Sequence, residues 1–186
     1  MNRDDFIKKF NSAKDEYNAD RFIKIADMSI SIEKLKNRGV INLVISMEEI
    51  SELISALLSD DKFEILEELA DVAICIEWIV DILNINMHDF YKAVMKQYEA
   101  IIAENNINKV ISKANIIDNL SKFIKEISKY IRGKNDTIDI DKLAKCYISL
   151  TCIKALKEIS VEESNKAINV KLDKIYNYES KKRFRI

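Results

Sequence analysis

Apolar residues recur every three to four positions along almost the whole chain, which is the period of an amphipathic helix. The pattern predicts a first helix over about 3–17 and a second over about 20–37, stopped at Asn37-Arg38-Gly39 by the glycine. A third helix follows over about 40–59 and breaks at Ser59-Asp60-Asp61. Asp61 can cap the fourth, with Glu64 in the capping-box position. That helix carries Leu66, Leu69, Val72, Ala73, Ile76, Ile79, Val80 and Leu83 and ends near Asn84. Asn86, with Asp89 three residues on, opens a helix over about 87–105, and Asn105-Asn106-Ile107-Asn108 reads as a linker.

Composition sharpens this to an all-α fold. The 186 residues include no proline and only two glycines, Gly39 and Gly133, too few turn residues for a sheet of parallel or sandwich type. Apolar residues make up 48% and charged residues 33%, which suits helices in water. A net charge of −1 gives no basic field to recruit nucleic acid or anionic lipid. No apolar run is long enough to span a membrane, and Met1-Asn2-Arg3-Asp4-Asp5 does not open a secretory signal. Cys75, Cys146 and Cys152 are odd in number and lie in apolar stretches, so they read as free thiols. A cytoplasmic protein without a membrane partner is expected; a homo-oligomer is compatible with the same features.

The second half repeats the first. Glu49-Ile50-Ser51-x-x-Ile54 returns as Glu126-Ile127-Ser128-x-x-Ile131, an offset of 77 residues. After a change of loop length the offset is 74: Leu69-Ala70 matches Leu143-Ala144, Ile74 matches Ile148, Ile79 matches Ile153, Ile85 matches Ile159, and Lys92-Ala93 matches Lys166-Ala167. The capped turns coincide as well, Asn86-x-x-Asp89 against Ser160-x-x-Glu163. Three regions follow: an N-terminal helical segment at 1–37, one three-helix unit at 38–106 and a second at 115–180. Three helices bury their faces poorly alone, so the expected arrangement is a bundle of two units about a pseudo-two-fold axis.

The first unit holds the candidate chemistry. Glu49 and Glu52 are three apart on the third helix, and Glu68 and Asp71 are three apart on the fourth, so each pair projects from one helical side. Solvated helical faces also place carboxylates at this spacing. Here, however, two pairs on consecutive helices are each bracketed by apolar residues, Leu43, Val44, Met47, Ile50 and Leu53 on one and Leu66, Leu69, Val72 and Ala73 on the other. Facing pairs would repel one another unless a cation lay between them. An all-oxygen ligand set suits Mg²⁺ or Mn²⁺ rather than Zn²⁺.

Glu48-Glu49-x-x-Glu52, followed after fifteen residues by Glu68-x-x-Asp71, resembles the paired acidic motif of MazG-like nucleoside triphosphate pyrophosphohydrolases, members of the all-α NTP pyrophosphatase superfamily. The likeness covers about residues 36–100 and, more faintly, 115–178. It implies a helical bundle that hydrolyses a nucleoside triphosphate to monophosphate and pyrophosphate with Mg²⁺. It also implies Glu49, Glu52, Glu68 and Asp71 as metal ligands, with Glu48 and Glu49 as the candidate catalytic carboxylates, Glu48 near enough to orient or deprotonate water. Basic phosphate-binding residues are implied on the following helix, which offers Lys92 and Lys96. Lys96 and Trp78 are the substrate-binding candidates, although a solvated face accounts for Lys96 and core packing for Trp78. Lys34, Lys36 and Arg38 precede the motif helix and offer further cations.

The second unit departs from the motif. It keeps Glu126 but carries Lys129, Lys142 and Lys145 where the first unit has Glu52, Glu68 and Asp71. This charge pattern holds no divalent cation in the same way. The lysines read as ordinary surface charge after a lost site, or alternatively as contacts to substrate phosphates. They also keep open a second reading, a catalytically weak or inactive helical module that binds nucleotide or a protein partner. His88 stands at a helix start without a ferritin-like E-x-x-H setting, and Lys181-Lys182-Arg183-Phe184-Arg185 is too short a basic tail to indicate nucleic acid.

Overall fold

A computed structural model describes residues 3–13, 38–104 and 111–183. It is all-helical: α1 Arg3–Ala13, α2 Arg38–Ser59, α3 Lys62–Ile82, α4 Met87–Ala103, α5 Lys113–Ile131, α6 Ile140–Lys157 and α7 Val161–Arg183, with no strand among the described residues. The helix expected at 20–37, with Lys34 and Lys36, lies outside the described residues, as does the linker at 105–108. Among the described residues no helix is long and apolar enough to cross a membrane.

The caps explain where the helices begin. Asp61 accepts hydrogen bonds from the backbone N–H groups of Phe63 and Glu64, at 2.8 and 3.2 Å. Asn86 does the same for His88 and Asp89, and Asp139 for Asp141 and Lys142. At the start of α7 the capping box is complete: Glu163 N–H donates to Ser160 Oγ and Ser160 N–H donates to the Glu163 carboxylate. Gly39 lies within α2 near its first described residue; the residues before 38, where the preceding helix was expected to end, lie outside the described residues. A Cβ there would stand 3.5 Å from Ile82 Cγ2, an ordinary contact. Gly39 thus lies beside Ile82, at the end of α3.

Two helices form the centre. Residues 72–80 of α3 are all buried, and so are residues 148–155 of α6. Neither segment keeps a solvent face, so each must be surrounded by other helices. α2 packs along α3 and α5 along α6, while α3 touches α6 and α2 touches α5. The third helix of each half packs on the centre of the other half, α4 on α6 and α7 on α3. α1 lies against α6, with Phe6 and Phe10 each 1% exposed and Phe10 stacked on Tyr98 of α4 at 5.3 Å. All three cysteines are free and buried, and burial pushes the Cys75 and Cys152 thiols up to about 12 and Cys146 upward as well.

Candidate metal centre

The two-residue turn at Asp60–Asp61 folds α3 back along α2, which sets the register of the acidic residues. Glu49 of α2 and Glu68 and Asp71 of α3 each offer a carboxylate oxygen, and these atoms all lie within 4.8 Å of one another. Oxygens around one Mg²⁺ at about 2.1 Å lie roughly 3–4 Å apart, so small rotations close the group on one ion. All three residues are half-buried. Glu68 Oε2 is a buried oxygen with no hydrogen-bond partner among the described residues. A buried carboxylate oxygen without a donor is costly and fits a cation ligand.

Electrostatics show the strain of this grouping. Burial, then the charges of Asp71, Glu52 and Glu68, push Glu49 from 4.5 up to about 7, with Lys171 pulling the other way. Burial and the charges of Asp71 and Glu52 also push Glu68 upward. Behind the cluster, Cys75 stays protonated and offers no thiolate, because burial outweighs the hydrogen bond with Ser46.

The sequence candidates separate here. Three of the four proposed ligands converge. Glu52 is exposed and stands outside the group, although its charge is felt by Glu49 and Glu68. Glu48 is exposed beside Glu49. Trp78 is buried in the core at 9% exposure, and its Nε1 has no hydrogen-bond partner among the described residues. Lys96 lies on α4, which packs on α6, and its Nζ meets Asp141 at 3.0 Å.

Among the described residues, a cation that does reach the cluster is one the sequence did not single out. Lys171 of α7 forms an ion pair with Asp71, and both side chains are largely buried, at 24% and 18% exposure. Burial disfavours the ammonium, but Asp71, Glu67 and Glu68 more than restore it and hold Lys171 above the usual lysine range. Its helix is remote in sequence and arrives because α7 crosses onto α3. An apolar spacing cannot reveal that crossing.

In the second half, Lys142 is not ordinary surface charge. Its Nζ donates to Glu126 Oε2 at 2.6 Å, and Asn135 Nδ2 donates to Glu126 Oε1 at 2.7 Å. Glu126 is thus buried with both oxygens satisfied by donors. Lys129 and Lys145 are exposed. Lys142→Met should cost about 2–3 kcal/mol by urea denaturation. That is below the usual cost of breaking a fully buried pair, because Lys142 keeps partial solvent contact. Adding Glu126→Gln should recover most of the loss; no recovery would show that the pair is not the cause.

The raised Glu49 also fixes a pH dependence. A carboxyl with a folded value near 7 and an ordinary value of 4.5 holds its proton better when folded. Its stabilising contribution is present below about 4.5 and lost as pH rises to about 7. In EDTA the melting temperature should fall across that window, and Glu49→Gln should flatten the fall. Millimolar Mg²⁺ should raise the melting temperature at pH 7 by mass action.

No protein-family model matches the chain, and no curated protein or solved structure matches it either.

Proposed function

We infer that the chain is a divalent-cation-dependent nucleoside triphosphate pyrophosphohydrolase, releasing nucleoside monophosphate and pyrophosphate. The observation that carries this reading is the convergence of Glu49, Glu68 and Asp71 within 4.8 Å, with a buried Glu68 oxygen lacking a donor. Glu49, Glu68 and Asp71 would hold the ion, with Glu52 at the exposed rim as a fourth oxygen donor. Mg²⁺ is the cation expected for hard oxygen ligands that leave room for water and phosphate, and Mn²⁺ should replace it. When bound, it supplies charge stabilisation on the phosphoryl oxygens during in-line displacement.

The chain's own groups do the rest in this reading. Glu49, as a ligand, would hold the attacking water beside the ion rather than take its proton, since a dication offsets the carboxylate charges that raise its proton affinity when the site is empty. Glu48, exposed one residue before it, is the outer candidate for orienting that water. The packing of α4 on α6 and of α7 on α3 supports two units exchanging their third helices about a pseudo-two-fold axis. Under that reading the Glu126–Lys142 pair fills internally the place that a cation takes in the first unit. The buried free thiols fit a protein of the cytoplasm.

A second reading, a helical module that binds nucleotide or a protein partner without turnover, is favoured by Lys171, whose ammonium already neutralises one of the three carboxylates. Product analysis separates the two. Incubation with a panel of NTPs and dNTPs should give monophosphate and pyrophosphate with Mg²⁺ or Mn²⁺ and nothing with EDTA. Diphosphate with inorganic phosphate, or no turnover across the panel, would count against the hydrolase reading.

A further inference from the structure

We propose that Lys171 is a displaceable counter-cation: it leaves Asp71 when a divalent ion binds there and passes to the phosphates of the anionic ligand, so that metal and triphosphate bind cooperatively. The inference rests on the pyrophosphohydrolase reading and adds to it a substrate-binding residue from the other half of the chain.

Asp71 is common to both partners. It belongs to the acidic group with Glu49 and Glu68, and its Oδ2 accepts the hydrogen bond from Lys171 Nζ. A dication shared by these carboxylates would stand within a few ångströms of the ammonium. Cations so close in a half-buried site repel strongly, so metal binding opposes the Lys171–Asp71 pair. Lys171 cannot withdraw its charge without cost, because its side chain is only 24% exposed and anchored on α7 across α3. Another anion must then replace Asp71; the chain itself offers Glu67, whose charge already favours the ammonium but which lies outside the acidic group. A triphosphate bridging the ion supplies one at the place where the ammonium is released, and lysine suits phosphate as a flexible point charge. Metal alone therefore binds against Lys171, and metal with triphosphate binds with its help. Lys96, at 69% exposure and paired with Asp141, has no such position.

Lys171→Met keeps the aliphatic stem and removes the charge; Lys171→Arg keeps the charge. Two constants are measured on the full chain by calorimetry: Mn²⁺ without nucleotide, and an α,β-methylene nucleoside triphosphate at saturating Mn²⁺. In Lys171→Met, Mn²⁺ alone should bind about tenfold tighter and the analogue about tenfold more weakly, within the usual span of coupling between sites. Lys171→Arg should stay near wild type in both, and circular dichroism should show unchanged helicity in each variant. Wild-type Mn²⁺ binding that Lys171→Met leaves unchanged or weakens would overturn this inference while leaving the metal reading intact. A wild-type chain that binds no Mn²⁺ would overturn both.

Discussion

Glu68→Gln should lower pyrophosphate release on the order of a thousandfold, since in the proposed site it would remove the charge from a half-buried ligand of the ion that would stabilise the reacting phosphates. The same variant should not unfold. Glutamine has the shape of glutamate, and its amide can donate to Glu49 or Asp71, whose offered oxygens lie within 4.8 Å of that of Glu68. Removing one of three crowded carboxylates also relieves repulsion, so in EDTA its melting temperature should equal or exceed that of wild type. The opposite signs of the two effects separate a ligand from a packing residue. Glu52→Gln should cost less activity, because Glu52 is exposed and acts on the cluster through its charge. Full activity in Glu68→Gln would remove the site assignment.

A chain ending at Asn106 should lose its fold as a monomer. Residues 72–80 of α3 are buried on every side, and part of that cover comes from α6 and α7. Exposing about five such side chains costs roughly 7–15 kcal/mol, comparable with the whole stability of a typical domain. The truncated chain should therefore be unfolded by circular dichroism, or should self-associate so that a second copy supplies the missing helices. Sedimentation measures which. A helical, monomeric and fully active truncated chain would show that the second half has no structural role and that Lys171 is dispensable.

The sequence carried some levels of this structure and not others. Helix starts were legible at Asp61, Asn86 and Ser160, because a cap is a local bond between a side chain and nearby N–H groups. That Gly39 lies beside Ile82 was not legible, because nothing local in the sequence reports a contact between two helices. Glu68 and Asp71 share a face, and the structure keeps them together. Glu49 and Glu52 have the same spacing, yet Glu52 is exposed: spacing puts two residues on one side of a helix but does not fix how that helix is rotated against its neighbour. Lys171 was illegible for a different reason: it reaches Asp71 through the crossing of α7 onto α3, a tertiary fact. The place of Lys96 was illegible for the same reason, since the helix that follows the motif packs on α6 and brings it to Asp141. Lys142 was visible as a charge reversal, yet its pairing needed the fold to bring it to Glu126 and Asn135.

The most direct test of a cation site formed by α2 and α3 is the anomalous scattering of Mn²⁺ in crystals of the full chain. A single manganese peak per chain should lie between the carboxylates of Glu49, Glu68 and Asp71, with no peak at Glu126. A second peak at Glu126, or no peak at the three carboxylates under saturating Mn²⁺, would contradict the account.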